Sequence, residues 1–491
     1  MKYVTLLIAL FSFLSTFSQS DKERVLETVK KNVIEGHIYF LADDLLKGRE
    51  TGSPENKIAA SYLANTLRGY GVQPIPSTNS YFQEVKLQKL SPPKLFELAI
   101  NGLPSINKVA LEVSAIEFDG ESNYLGYGLE EDYKDRDLKG KLIIIRGGSD
   151  KAKDARGAFG LRNTKMQLAK EAGVLGIIEL IDVKSDMWVF IDHNFNTDRL
   201  ELATEEEQST EQEFVYIWLQ DKNGSEATSF ERDKKPKVTL TMSNKTISPI
   251  LSQNVIGIAE GTDPKLKNEY IIYSAHYDHV GIGTPDESGD TIYNGARDNA
   301  VGTTTVLSMA ENLVKYPTKR SALFILFTGE EKGLLGSSYY VDHPVLPLNQ
   351  MVYCFNSDNA GYNDTSVATI VGLERTTAAG HIKNAATAFG LRAIDDPAPE
   401  QGLFDRSDNV HFAKKGIPAP TYSLGFTSFD GDVTKYYHRP GDEAETLDYD
   451  YLYKFFSSYV LAGRLIANDP VTPFWVKNDK YEMVGKELYN K

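Results

Sequence analysis

Glu330 and Glu331 stand side by side in Phe327-Thr328-Gly329-Glu330-Glu331, directly after the apolar run Ala322 to Phe327. Two carboxylates aimed into one low-dielectric cleft repel each other, so the simplest division of labour makes one a cation ligand and the other a proton carrier. The pair asks for a metal. Upstream, His276-Tyr277-Asp278-His279 offers imidazoles and a further carboxylate. Three more segments each add one group: Asp298 in Gly295-Ala296-Arg297-Asp298-Asn299, Asp358 in Asn356-Ser357-Asp358, and His438 in Tyr436-Tyr437-His438-Arg439-Pro440-Gly441-Asp442. Singly, each Asp reads as a helix cap or turn residue. Together they form a set of nitrogen and oxygen donors suited to zinc, in which one carboxylate can bridge two ions.

The surrounding pattern says what must hold these groups. His276 ends the strand-like run Tyr270 to Ala275, and Asp358 follows the apolar run Met351 to Phe355, so acids and imidazoles fall at strand ends. Strand alternation pairs His276 with Asp278 on one side, with the carboxylate fixing the imidazole, and turns His279 to the other. Asp298 lies in a loop leading into the helix-like stretch Val301 to Tyr316, and His438 in a loop punctuated by Pro440 and Gly441. From Gln253 onward strands and helices alternate: Val255 to Ile258, Val367 to Val371, Thr376 to Phe389, Ala419 to Leu424 and Leu447 to Ile466 join those already named. The expectation is an α/β fold, a mixed and mostly parallel sheet between helices, with ligands at the strand ends.

The ordered motifs His276-x-Asp278, Gly295-Ala296-x-Asp298-Asn299, Gly329-Glu330-Glu331-x-Gly333-Leu334-x-Gly336-Ser337, Asn356-x-Asp358 and Tyr437-His438-x-Pro440-x-Asp442 resemble the co-catalytic di-zinc aminopeptidase family, relatives of leucyl aminopeptidases and glutamate carboxypeptidase II. The resemblance covers most of the chain after Gln253 and, more weakly, Leu41 to Gly71. It implies two zinc ions held by His276, Glu331, Asp358 and His438, with Asp298 bridging. It further implies Glu330 as general base, Asp278 as partner of His276, Tyr437 as donor to the tetrahedral intermediate, and a cis bond after Asp298. Arg406 resembles a family arginine that reaches substrate or product; as a bare residue it reads equally well as a surface arginine. The sequence departs from the pattern at Arg297, a place often acidic, at Val301, where Ser is frequent, and at Asn409, where His or Tyr is common. The last departure puts the shape of the substrate pocket in question. His37, His193, His343, His381 and His411 fall outside any ligand pattern and read as structural.

The implied activity is hydrolysis of the N-terminal peptide bond of peptides. The same machinery serves carboxypeptidases, for which Arg406 is a candidate carboxylate partner, and one-zinc glutaminyl cyclases. A non-catalytic receptor on this scaffold, as in the transferrin receptor, is a fourth reading, opposed by an intact Glu330 and a full ligand set.

At 491 residues and net charge -15 the chain expects two or three domains and no nucleic-acid or anionic-membrane partner. Met1-Lys2 and the apolar stretch Val4 to Phe17 read as a secretory signal peptide ending near residue 20, with a membrane anchor the weaker reading because the stretch is short, which implies a periplasmic or secreted protein. The sole cysteine, Cys354, can make no internal disulfide, which fits a bacterial exported enzyme better than a eukaryotic ectodomain. Residues 21–92 and 250–491 are read as two parts of the catalytic domain. Between them, 93–249 is a β-rich insert in which Asp137-Leu138-Lys139-Gly140 and Ala169-Lys170-Glu171-Ala172-Gly173, each running into an apolar strand, resemble a protease-associated domain. Within it, Asp182 to Glu213 is too polar to assign.

Overall fold

The computed structural model describes residues 19–203, 214–232 and 234–490. The apolar N-terminal stretch read as a signal peptide lies outside them. The chain forms two compact units, one of residues 1–85 with 251–491 and one of residues 86–250. Among the described residues no helix is long and apolar enough to cross a membrane.

The first unit is a mixed α/β structure with strands β3 (Tyr270–His276), β4 (Ser321–Phe327), β5 (Met351–Ser357), β6 (Val367–Val371), β7 (Arg392–Asp395) and β8 (Thr421–Ser423), and with the start of β1 (Phe82–Ser91) and the end of β2 (Thr246–Ala259), two strands that run on into residues 86–250. Their order within a nine-stranded sheet is β7-β6-β8-β5-β3-β4-β2-β1, with Arg199–Leu202 pairing antiparallel with residues 87–90 of β1 as the ninth strand. The centre is parallel, with β3 pairing in parallel with both β4 and β5. β2 and β6 run antiparallel to their neighbours β4 and β8.

The central strands read as continuous apolar runs because both faces are buried. In β4, Ala322, Phe324 and Leu326 enter one core while Leu323, Ile325 and Phe327 enter the other. The first core is closed by helices α1 (Asp21–Thr28), α2 (Lys31–Leu41), α3 (Pro54–Tyr70), α4 (Gly302–Lys315), α5 (Ala379–Ala388) and α6 (Tyr449–Asn468), which bury Val25, Ile38, Leu63, Val306, Ile382 and Phe455 there. Local chemistry sets their ends. Ser20 and Glu23 form a reciprocal capping box on α1. Ser53 caps α3, Pro54 opens it, and Gly71 closes it in the left-handed conformation.

The second unit has a five-stranded sheet whose centre holds Leu142–Arg146, Gly176–Ile181 and Val215–Gln220, plus a four-stranded antiparallel sheet. Helix Ala155–Glu171 lies between the first two of these strands. The polar segment left unassigned contains a helix, Ser185–Phe195, and a strand, Arg199–Leu202. Trp188 and Ile191 are the helix's buried residues; two buried positions in eleven leave too thin a stripe for periodicity to reveal.

Candidate metal centre

Parallel pairing of β5, β3 and β4 sets their C-terminal ends side by side, which is where open α/β sheets place their sites. His276 is the last residue of β3, Asp358 directly follows β5, and Glu330 and Glu331 lie just past β4. Asp298 arrives on an irregular helical turn, Ala296–Val301, whose Asp298–Asn299 peptide bond is cis, as the resemblance implied. That turn is held by Asn299, whose amide donates to the Ser357 carbonyl, and by the buried Asp442, which accepts from the Arg297 and Asp298 backbone N–H groups. Arg297 pairs with Asp442 at 2.9 Å, so the unusual residue before Asp298 serves the loop. His438 sits in its Pro- and Gly-punctuated loop at φ 52°, a left-handed conformation that non-glycine residues adopt at functional sites.

The structure brings all five expected ligand positions together. His276 Nε2 lies 3.3 Å from Asp298 Oδ1 and 3.2 Å from Asp358 Oδ1. His438 Nε2 lies 3.3 Å from Asp298 Oδ2 and 3.0 Å from Glu331 Oε2. Two donor groups result, and each uses a different oxygen of Asp298. Bond lengths of about 2.0–2.2 Å place neighbouring ligands of a tetrahedral zinc about 3.3 Å apart, which these separations approach. His438 Nε2 is buried and close to both carboxylates, yet aligned for a hydrogen bond with neither. Two imidazoles and three carboxylates with these spacings fit a pair of divalent cations.

Electrostatics point the same way. Burial opposes charge on His276, but Glu330, Asp358 and Asp298 outweigh it and raise its pKa well above the ordinary value. His438, half-buried, is likewise opposed by desolvation and still lifted to about 10 by Asp298 and Glu331. Glu330 is pushed well above the carboxylate range by burial and by Asp358 and Glu331, with His276 pulling the other way. The crowded carboxylates are unevenly compensated: the imidazoles hold Asp298 and Glu331 below the ordinary carboxylate range against burial, while Glu330 is driven up.

Glu330 Oε2 lies 4.0 Å from His276 Nε2, and it lines a cleft of about 90 Å³ together with Asp298, Glu331 and Asp358. Arg406 and Tyr437 line the same cleft, and Val371, Leu403, Phe426 and Phe429 supply its apolar surface. Tyr437 stacks on the His438 ring, centroids 4.0 Å apart. Asn409 is absent from the cleft wall: its buried amide donates to the Phe404 and Ala419 carbonyls, so that departure concerns scaffolding. Asp278 is close to His276 but differently engaged than expected. Its carboxylate is 3.8 Å from Nδ1, and it accepts instead from Thr51 Oγ1 at 2.8 Å and from the Glu330 and Glu331 backbone N–H groups.

Strand alternation misplaced His279. β3 stops at His276, so the period of two does not extend to residue 279, and its Nδ1 lies 2.7 Å from Glu331 Oε1 inside the site. Sequence reasoning also passed over Arg49. Its buried guanidinium donates to the carbonyls of Tyr277, Asn294, Gly295 and Leu41, tying the segment that carries Asp278 to the one that carries Asp298. Burial lowers its pKa to about 10. A buried arginine with backbone acceptors from distant segments leaves no mark in local sequence. The five histidines set aside stay out of every donor group found among the described residues.

Comparison with known proteins agrees with this geometry. Residues 254–461 match the model of Peptidase family M28. The chain is 32% identical over 209 residues to Aminopeptidase YwaD of Bacillus subtilis, covering 42% of each chain, and 25% identical over 182 residues to a probable leucine aminopeptidase 2 of Aspergillus oryzae, covering 34% of this chain and 32% of the relative. The chain thus spans less than half the length of these curated relatives. Among solved structures, an aminopeptidase from Aneurinibacillus sp. strain AM-1 superposes over 92% of this chain and 98% of its own, with TM-score 0.59 at 20% identity. A zinc aminopeptidase from Bacillus subtilis does so over 92% and 97%, with TM-score 0.50 at 20% identity, and both likenesses bear on the fold. The motif order, the donor groups at the strand ends and the matched segment agree: residues 254–461 are similar to peptidase family M28.

Proposed function

We propose that this chain is an exported di-zinc aminopeptidase that hydrolyses the N-terminal peptide bond of peptides. The observation that carries the reading is the sharing of Asp298 between two donor groups with Glu330 beside them. His276, Asp358 and one Asp298 oxygen would hold one zinc, and Glu331, His438 and the other oxygen the second; bound there, the ions would acidify water and polarise a peptide carbonyl. Glu330 acts as general base, taking the proton of the attacking water at its carboxylate and returning it to the leaving amine. The Tyr437 hydroxyl, on the cleft wall, donates to the developing oxyanion. The carboxylate-lined wall suits the substrate's ammonium group, and the apolar side of the cleft suits a side chain. Asp278 holds the backbone of Glu330 and Glu331 and thereby the catalytic pair. Export rests on the apolar stretch Val4 to Phe17, and the inserted unit is read as a protease-associated domain on its strand and turn motifs.

A carboxypeptidase reading draws on one observation: Arg406 is exposed on the cleft wall and has no ion pair among the described residues. One experiment separates the two. Matched peptides with free and acetylated N-termini are incubated with zinc-loaded protein and the products identified by mass spectrometry. Loss of single N-terminal residues from the free peptides alone is expected. Trimming from the C-terminus, or cleavage insensitive to chelators, would overturn the aminopeptidase reading.

A further inference from the structure

His279 is the group in this centre to which the motif pattern gives no part. Its imidazole is fully buried, and its place is built rather than incidental. The His279 backbone N–H donates to the Arg49 carbonyl, and Gly295 makes room for the ring: a Cβ added at Gly295 would stand 2.6 Å from both Cγ and Cδ2 of the imidazole. Nε2 is buried without a hydrogen-bond partner among the described residues, so the ring's polar commitment is made through Nδ1, to Glu331 Oε1 at 2.7 Å.

Two roles fit an imidazole here: a third nitrogen ligand, or an anchor for the carboxylate. Distance decides between them. The separations that match ligand edges are 3.0 to 3.3 Å, from His438 to Glu331 and Asp298 and from His276 to Asp298 and Asp358. At 2.7 Å, His279 and Glu331 are too close to be two ligands around one ion, for which about 3.3 Å is needed, and they stand at the length of a charge-assisted hydrogen bond. The contact also involves Oε1, whereas the oxygen beside His438 is Oε2. One oxygen is held and the other is left to face the cation.

We propose that His279 is a positioning residue: its Nδ1–H donates to Glu331 Oε1, fixes the carboxylate plane and presents Oε2 to one of the two metal positions without itself binding metal. The inference rests on the two-metal reading above. Adjacent Glu330 must stay free to move a proton while Glu331 must stay still. A hydrogen bond from a buried ring to one neighbour alone separates the two behaviours.

The test is zinc binding to the full chain, measured by competition with a chromophoric chelator, for wild type, His279→Ala, His279→Asn and His279→Gln. The Asn amide nitrogen superposes on the Nδ1 position, while the Gln amide reaches toward Nε2. Loss of such an anchor weakens metal binding about 10- to 100-fold, and that loss is expected in His279→Ala for one of the two ions. His279→Asn should restore affinity to within a few-fold, and His279→Gln should behave like Ala. The cobalt-substituted absorption spectrum of His279→Asn should match wild type, because no ligand has changed. Should His279→Ala fail to fold, the Asn and Gln variants carry the comparison. Wild-type chain that binds no zinc would defeat the two-metal reading itself. Two ions in wild type with an unweakened His279→Ala, an unrescued His279→Asn, or an altered cobalt spectrum in that variant would overturn the anchor alone.

Discussion

Both units bury carboxylates, and they treat them in opposite ways. In the second unit Glu179 is fully buried and fully answered: it accepts from Lys165 Nζ, Tyr216 OH, Trp218 Nε1 and the Gly148 backbone N–H. In the first unit Asp298, Glu330, Glu331 and Asp358 converge on three imidazoles, those of His276, His279 and His438; among the described residues His438 Nε2 has no aligned partner and neither oxygen of nearby Asp408 is hydrogen-bonded. Burial pushes the Asp408 carboxyl up to about 7. A closed polar network confers a unique packing, whereas an under-compensated one stores free energy that a cation releases on binding. The contrast separates scaffold from site without reference to any motif.

The largest effect expected from this contrast comes from the two neighbours Glu330 and Glu331. Glu330→Gln keeps size and hydrogen bonding but cannot accept and return a proton, so turnover should fall by about 10² to 10⁴ with metal content retained. Glu331→Gln removes a ligand charge and should lower metal content itself. Metal analysis alongside turnover distinguishes them, and a near-wild-type Glu330→Gln would remove the general-base assignment.

The closed network should respond in stability instead. Lys165→Met leaves Glu179 buried without its cation, and loss of one partner of such a pair costs about 3–5 kcal/mol. Denaturant unfolding should show that loss, while zinc content of the folded fraction stays at the wild-type value. A Lys165→Met variant as stable as wild type would mean that Glu179 is not committed to this pair, and the contrast between the units would weaken.

A smaller effect tests the sign of imidazole shifts. His438 among carboxylates is driven up, whereas His37, enclosed by the Tyr62 and Tyr70 hydroxyls, is driven down by burial to about 4. The unfolded chain protonates His37 near about 6.5, so between roughly pH 6.5 and 4 the unfolded state binds the additional proton. Stability should therefore fall as pH drops through that window and level off below it, by roughly 1–2 kcal/mol after allowance for solvent screening. His37→Gln should flatten that part of the profile. An unchanged slope in the variant would assign the loss to other groups.

Several features were legible because they are local. The apolar runs of β3, β4 and β5 announce strands buried on both faces, and acids and imidazoles following such runs must emerge at strand ends. In this way His276, Asp298, Glu330, Glu331, Asp358 and His438 could be named from residue type and spacing together with the motif order. Helix Ser185–Phe195 was illegible for the converse reason, since with only Trp188 and Ile191 buried it shows no apolar stripe.

What the sequence by itself determined is the inventory of donors and the strands that carry them. Only the tertiary structure decided their angular relations, because the period of two ends where β3 ends and nothing local states which way the next three residues turn. That turn brings His279 onto Glu331 and leaves Asp278 bonded to Thr51 and the backbone of the Glu pair. Arg49 depends on tertiary structure still more completely. Three of its four acceptors are carbonyls from two distant stretches of chain, at Tyr277 and at Asn294 and Gly295, and the fourth is that of Leu41; a backbone carbonyl is the same group whatever residue bears it.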